Sequence, residues 1–402
     1  MGRKLEIRSQ GSKWKLRALT LAVGLASAQL VTAEDLPGVI SADDYFGRGT
    51  IRQTMGNEPE NLAADEAPST PVLASCEETI HGASACGNSI ECCPPTLVCP
   101  TPWWGHRTGA FADILLLRPG STDLIYAVEQ TDPIGLAAAS PTGPVGIANI
   151  DEEAGFRTGF ALAASNCSSL VVSYAWWDGE TLSTLTANAP NVLNSQVIHP
   201  SVDTTGAASL AASSMQGISF QTVDTTYRHL WKATEKTAIN WLAGLRYGNL
   251  EQTSSTNQTV QVATGLTNVR TDIGFDGFGI TGGADFERYS CQSGLSIYGR
   301  SMLSLLAGDW QADYVQTNQF GGGVIANQIS DYRVTPIIDT ELGLGWTCMD
   351  GRLRVRGGFL LSAWLDAMTT RSYIDGVRTG QIQEIEEVLT FSGLTSGLEF
   401  RF

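Results

Sequence analysis

The segment "RLRVRGGFLLSAWLD", residues 352–366, alternates between two kinds of side chain along its length. Apolar or small residues fill the series from Leu353 to Leu365, whereas Arg352, Arg354 and Arg356 begin the other series. A period of two residues predicts a β-strand, because successive side chains of a strand point to opposite faces. A charged face opposite an apolar face indicates a strand that lies between a polar interior and lipid.

The preceding segment "VTPIIDTELGLGWT", residues 334–347, alternates in the same way. A turn over Cys348–Gly351 would join the two segments as a hairpin, with Asp339 and Glu341 on the same side as the three arginines. Small glycines at 343 and 345 would leave room for the arginine side chains. The sequence therefore predicts a lumen charge cluster that contains Arg352, Arg354, Arg356, Asp339 and Glu341.

The chain ends on "SGLTSGLEFRF", residues 392–402, which again separates apolar from polar and small residues by parity. The last residue, Phe402, lies on the apolar side. This ending is typical of a closing barrel strand, and Phe402 resembles the carboxyl-terminal signal that bacterial barrel-assembly machinery reads, which implies a role as a barrel-insertion signal.

Spacing predicts an all-β, antiparallel transmembrane β-barrel of about ten strands, with about twelve as the alternative count. The second, fourth, sixth and eighth links are short and the others are long, as in barrels with tight periplasmic turns and long outer loops. The segment 122–130 would break this alternation, so we interpret it as loop or as an extension outside the membrane. The predicted strands are 110–118, 155–164, 169–180, 217–232, 237–252, 268–289, 293–316, 329–348, 352–370 and 391–402. Several exceed the ~9–11 residues needed to cross a bilayer, so the barrel should project beyond it.

The amino terminus indicates export. Basic residues precede an apolar stretch, 18–31, and small residues follow, so residues 1–33 are predicted to be a signal peptide, with cleavage after Ala28 as an alternative. A membrane anchor is the other interpretation, although the apolar stretch is shorter than the ~20 residues that a spanning helix needs. Residues 34–75 are acidic and aperiodic, which predicts a flexible linker.

Residues 76–108 form a predicted cysteine-rich periplasmic segment, and the outer-membrane barrel is predicted to occupy 109–402. Dense cysteines in an exported chain indicate disulfides, with zinc as the alternative. The five disulfide candidates are Cys76, Cys86, Cys92, Cys93 and Cys99. Because five is odd, one cysteine must stay free, pair with another chain, or reach Cys167, Cys291 or Cys348.

Composition limits the partners. The 402 residues carry a formal net charge of −16, and such an acidic chain argues against nucleic acid as a partner. Abundant glycine, 43 residues, with few charged residues suits a β-rich or membrane protein.

Six blocks resemble the strands of the Legionella-type major outer membrane protein family. They are "GFRTGFALAAS", "WLAGLRYGNLEQ", "GFDGFGITGGADFE", "LSIYGRSMLSLLAGD", "TPIIDTELGLGW" and "SGLEFRF", and together they cover roughly residues 110–402. The resemblance implies a porin-like barrel in the outer membrane and implies no catalytic or ligand-binding residue.

Two functions follow from these patterns. The first is a passive, narrow outer-membrane pore for small solutes or ions; the second is a filled structural or adhesive surface barrel that displays long loops and is tethered by its cysteine-rich segment. An enzyme is not expected, because the four histidines are scattered and no catalytic motif is present. No cofactor or metal is expected, and the expected partners are outer-membrane lipid, the barrel-assembly machinery and small solutes or ions.

Overall fold

The computed structural model describes residues 103–131, 140–201, 209–260, 266–319, 323–348, 351–382 and 385–402. The predicted signal peptide and linker and the five cysteines of the cysteine-rich segment lie outside these ranges, so their boundaries stay predictions. Among the described residues, no helix is long and apolar enough to cross a membrane.

Thirteen strands and one helix make up the described part of the chain. They are β1 Gly109–Gly120, β2 Leu124–Gln130, β3 Pro141–Ala148, β4 Glu153–Ser165, β5 Ser168–Thr186, β6 Val192–Ser195, β7 Ser209–Ala233, β8 Thr237–Val260, β9 Leu266–Tyr289, β10 Leu295–Asn318, β11 Val324–Cys348, β12 Leu353–Met368, α1 Thr370–Thr379 and β13 Glu386–Arg401.

Ten of these strands close into an antiparallel ring. The order around the ring is β1, β4, β5, β7, β8, β9, β10, β11, β12 and β13, and the closing pair aligns Gly109 of β1 with Arg401 of β13. Closure matters in lipid, because an open sheet edge would leave backbone groups without hydrogen-bond partners. The predicted all-β barrel and its strand count of about ten are thus confirmed within the described residues.

Short and long connections segregate to opposite ends of the ring. The end with the short links after β4, β7, β9 and β11 is termed the turn end, and the opposite one the loop end. At the loop end β2, β3 and β6 extend the sheet outside the ring. The segment 122–130, which contains β2, is therefore an extension, the second of the two interpretations given for it from the sequence. The link predicted over 371–390 contains α1 instead of a simple loop.

The outer surface carries an apolar band. On β10 the outward residues from Leu295 to Leu305 are apolar or small, and all but the half-buried Gly299 are exposed; Asp309 and Gln311 follow them toward the loop end. From Leu295 to Ala307, a rise of ~3.3 Å per residue at a tilt of ~40° gives about 30 Å, which is the thickness of a bilayer's hydrocarbon core. The rest of β10 extends roughly 25 Å beyond the bilayer on the same geometry.

Candidate functional site in the barrel interior

The half of the interior nearer the turn end contains alternating positive and negative side chains that bind one another across the barrel. We call it the inner ion-pair cluster. Its arginines are Arg157, Arg228, Arg246, Arg354, Arg356 and Arg401, and its carboxylates are Asp113, Asp224, Asp285, Glu287, Asp339, Glu341 and Glu399.

Asp113 on β1 joins two arginines. Its carboxylate accepts from Nε of Arg157 at 2.7 Å and from Nη2 of Arg356 at 2.8 Å, and the residue is only 3% exposed. Gly397 lies directly opposite Asp113, and a Cβ at Gly397 would overlap the aspartate Oδ1. Glycine at this position therefore makes room for the shared carboxylate.

Glu341 on β11 is the second shared carboxylate. It accepts from Nη2 of Arg157 at 2.8 Å, from the Tyr298 hydroxyl at 2.9 Å and from the Thr395 hydroxyl at 3.2 Å. Arg157 thus bridges Asp113 and Glu341, which belong to strands on different sides of β13 and β12. The cluster therefore ties together strands that are not hydrogen-bonded neighbours.

Two further arginines complete the network. Arg246 on β8 donates to Asp224 of β7 and to Asp339 of β11, and so crosses the interior. Arg228 on β7 binds Asp285 of β9 through two donors, at 2.7 and 2.9 Å. Each of these carboxylates is partly or fully shielded from water and has an arginine partner.

The structure places four of the five predicted cluster residues inside the barrel, with partners other than those expected. Arg354 binds Glu287 at 2.9 Å and Arg356 binds Asp113, while Asp339 binds Arg246 and Glu341 binds Arg157. The β11–β12 pairing explains the difference, because it sets Arg356 opposite Gly345 and Glu341 opposite Leu360. Along the strand, Glu341 consequently lies four residues and Asp339 six residues from the level of Arg356, about 13 and about 20 Å.

Arg352 does not belong to the cluster. The β12 ladder begins at Leu353, so Arg352 lies in the turn before it, where its side chain is exposed. Its contribution to the structure is a backbone one, since its carbonyl accepts from the Arg401 amide at 2.7 Å. The alternation in the sequence starts one residue before the strand does.

Arg300 on β10 is an interior residue that was not predicted from the sequence. It borders two cavities of about 70 and about 100 Å³. Its Nε is buried and has no hydrogen-bond partner among the described residues. The sequence could have predicted it, because Arg300 shares a strand face with Tyr298 and Met302 in "LSIYGRSMLSLLAGD", and both of these side chains point inward.

The other half of the interior, nearer the loop end, is packed with apolar and aromatic side chains. Trp177, Phe220 and Phe391 form one aromatic group, with ring centroids 4.7 to 6.0 Å apart. Phe275 packs on Trp310 at 4.7 Å as part of a second. These side chains are 7% exposed or less, so they form a hydrophobic core in this half of the barrel.

Helix α1 contributes to this core from within. Tyr373, Ile374 and Val377 are buried on one of its faces, and the Tyr373 hydroxyl donates to the Ala312 carbonyl at 3.1 Å. Gln252 of β8 holds the start of the helix, since it donates to the Met368 carbonyl at 2.7 Å. The helix and the packed core together form what we call the cap.

The turn end is crossed by the residues that precede β1. Trp103 stacks on Tyr289 at 5.2 Å, and His106 is bound by Ser169 at 2.8 Å and Asn240 at 3.1 Å. Burial, together with the positive charge of Arg228, lowers the pKa of His106 to about 4. The imidazole is therefore neutral at pH 7 and acts as a hydrogen-bonded anchor.

The remaining predicted residues lie as follows. Phe402 is exposed, packs edge-on against Phe400 at 5.2 Å, and donates its amide to the Thr108 carbonyl at 2.8 Å. Its insertion role stays a prediction. No group of three or more His, Cys, Asp or Glu side chains with metal-binding geometry occurs in the part of the chain that the structure describes.

The family model described as "Legionella pneumophila major outer membrane protein precursor" matches residues 107–402. The chain belongs to this family. The match confirms the resemblance carried by the six strand blocks, and it places the protein in an outer-membrane family. No curated protein matches the sequence significantly.

The solved structures to which the chain is similar include those of three bacterial proteins. The protease OmpT from Escherichia coli shares 9% identity, with 74% of this chain and 97% of that chain covered and a TM-score of 0.39. The transport unit of the autotransporter AIDA-I from Escherichia coli shares 8%, with coverage of 73% and 90% and a TM-score of 0.24. A Pseudomonas aeruginosa FadL homologue shares 7%, with coverage of 74% and 90% and a TM-score of 0.22. Likeness at this level carries no conclusion about activity.

Proposed function

We propose that this outer-membrane protein is a closed barrel that seals its own interior and presents its loop-end cap outside the cell. The observation that carries the proposal is the hydrophobic core at the loop end, into which α1 packs Tyr373, Ile374 and Val377. Short turns face the periplasm in outer-membrane barrels, so the turn end is assigned to the periplasm and the cap to the outside.

Barrel size supports closure. Eight-stranded barrels are filled by their own side chains, and open aqueous porins have 16–18 strands. Ten strands enclose only slightly more space than eight, and here that space contains the cap and the inner ion-pair cluster. This filling favours the second function expected from the sequence, a filled surface barrel, over a passive pore.

A gated pore is the second candidate, and one observation favours it. The two cavities that Arg300 borders are lined in part by charged side chains, as a water-filled pathway would be. They lie below the cap, so solute passage would require α1 to leave its place.

Planar-bilayer conductance tests both candidates. Wild-type protein is compared with a variant in which Thr370–Thr379 is replaced by a Gly-Ser linker of equal length, and with a control that carries Arg371→Ser and Asp375→Ser on the exposed face of α1. The closed-barrel proposal expects no conductance steps from wild type or control. Steady wild-type conductance would overturn it, and brief steps from wild type and control that become steady without α1 would favour the gated pore.

Several parts of the proposal concern the cell. Residues 1–33 direct export, the amino-terminal segment lies in the periplasm, and the barrel-assembly machinery reads Phe402. Lipid contacts the apolar band, and the protein carries out no catalytic step.

Removal of Phe402 should lower the amount of assembled barrel in the outer membrane, and normal assembly without it would contradict the signal role.

A further inference from the structure

The outer side of the barrel at the turn end carries positive side chains without carboxylate partners. Lys232, near the end of β7, and Lys236, just before β8, are the only lysines after residue 15. Arg288 lies near the end of β9. All three are exposed, and none of their side chains makes a hydrogen bond or an ion pair with the residues that the structure describes. These charges are therefore available to a ligand.

A β-bulge turns Lys232 toward the lipid side. The β7–β8 ladder shifts register there, so that Trp231 is the extra residue and Lys232 lies opposite Ile239. Residues opposite each other in an antiparallel pair share a face, and Ile239 has the outward parity of the exposed Trp241. Without the bulge Lys232 would lie opposite Ala238, which is buried.

Arg288 lies two strands away on the same outer face. Its neighbour on β10 is Ile297, which is exposed. Phe286, two residues before Arg288, continues the row that contains Ile239 and Lys232. Two strand spacings and two residues along the strand place the Cα atoms of Lys232 and Arg288 about 12 Å apart. Both long side chains can therefore reach one group of phosphate size between them.

Aromatic and apolar side chains border these charges. Trp231 is 75% exposed, and Trp241 packs against His229 with ring centroids 5.6 Å apart. Such amphipathic rings lie at the level of the lipid headgroups in membrane proteins. Leu295 and Ile297 begin the apolar band on β10. The cations therefore lie where the hydrocarbon of the bilayer meets the headgroups.

We propose that the patch formed by Trp231, Lys232, Lys236, Trp241 and Arg288 binds the headgroup of an anionic phospholipid such as phosphatidylglycerol. A guanidinium donates two N–H groups to one phosphate, and each lysine ammonium adds a point charge. The two indoles pack against the lipid beside its headgroup.

The charge of the patch favours an anionic over a zwitterionic lipid. A zwitterionic headgroup presents a cation beside its phosphate, and basic side chains repel it. Glu235, exposed in the β7–β8 link, opposes the three cations, so positive charge stays in excess. The Trp103 indole donates to the Glu235 carbonyl at 2.9 Å and so holds this link in place. The leaflet at this end is the periplasmic one in the orientation proposed above, and only that assignment rests on the proposed function.

Lipid retention by the purified protein tests the patch. The protein in detergent is mixed with equal amounts of phosphatidylglycerol and phosphatidylcholine, and native mass spectrometry measures the bound lipids. We expect wild type to retain one phosphatidylglycerol in preference. Lys232→Gln combined with Arg288→Gln should weaken this binding about 30-fold, since each basic side chain near an anionic lipid surface contributes about fivefold.

The matched control is Arg270→Gln combined with Arg371→Gln, which removes the same charge from exposed positions toward the loop end and should bind as wild type does. Lys232→Arg should retain the lipid, and Glu235→Gln should bind it more tightly, a gain that a folding defect cannot produce. Three results would overturn the proposal: equal retention of both lipids by wild type, unchanged binding in the Lys232 and Arg288 variant, or equally strong binding of inorganic phosphate. The measurement depends on neither conductance nor orientation, so its failure would leave the closed-barrel proposal standing.

Discussion

At the residue scale, the interior depends on carboxylates that are shared between arginines from different strands. A buried ion pair adds little over an apolar pair, but the loss of one partner leaves an uncompensated charge and costs several kcal/mol. Asp113 is the strongest case, because Arg157 and Arg356 both donate to it. The cluster therefore braces the barrel. Removal of one shared carboxylate should lower the free energy of unfolding more than the loss of one ordinary ion pair would.

Asp113→Asn should lower the free energy of unfolding by about 3–5 kcal/mol, since two buried guanidinium groups lose their anion. The control is Asp272→Asn, because Asp272 pairs with Arg270 at the surface, where the side chains are 38% and 65% exposed. Such exposed pairs contribute about 0–1 kcal/mol. Urea unfolding in lipid vesicles measures both, and equal effects would contradict the bracing role.

The two faces of β12 give a second prediction at this scale. Phe359 is 51% exposed on the lipid side, and an arginine there should cost roughly 2–4 kcal/mol and reduce insertion into vesicles. Gln311→Arg, on the outer face of β10 beyond the apolar band, should insert normally. Normal insertion of Phe359→Arg would mean that the faces are reversed.

Sequence parity was sufficient to assign residues to the interior or to lipid, as for Arg354, Arg356 and Phe359. The partners of the arginines could not be predicted, because they depend on contacts across the barrel, such as Arg157 with Glu341. Arg300 was missed for the same reason, since a lone inward arginine is notable only once its neighbours are known to be paired elsewhere.

At the scale of single elements, α1 packs into the loop end of the barrel, and the residues before β1 cross the turn end. The helix starts at a Thr369 capping box with Ser372 and ends at Gly380 in the left-handed conformation. A helix of ten residues is marginal by itself, so packing of Tyr373, Ile374 and Val377 into the core is what stabilises it. This stretch was predicted to be loop because it falls in 371–390, one of the long links between predicted strands.

His106 makes the turn-end closure sensitive to acid. Its pKa is lowered to about 4 in the folded protein, so between about pH 4 and about pH 6.5 the unfolded chain binds more protons than the folded one. The free energy of unfolding should therefore fall as the pH drops through this window. Urea midpoints at about pH 7 and about pH 4.5 should differ more for wild type than for His106→Gln. An equal difference in both proteins would contradict the anchoring role.

At the scale of the whole molecule, ten strands of different lengths close one ring, while three short strands and α1 lie at one end only. Alternating link lengths in the sequence were enough to predict the ring and its strand count. The cap could not be predicted, because its residues come from α1 and from ring strands that are distant in the sequence and meet only after the ring has closed. Since closed barrels satisfy their backbone hydrogen bonds internally, unboiled and boiled protein should migrate differently on a detergent gel. Identical migration would contradict the closed ring.

Thiol labelling of two neighbouring positions on β8 tests most directly whether the interior is closed. Ser254 points inward and is 3% exposed, and Ser255 points outward beyond the apolar band. Ser254→Cys and Ser255→Cys are each made in a Cys348→Ser background and treated with a small charged thiol reagent on intact cells. The closed barrel predicts rapid labelling at 255 and labelling at 254 only after boiling in detergent. Comparable labelling rates at both positions in the native protein would show an open interior and contradict the closed-barrel proposal.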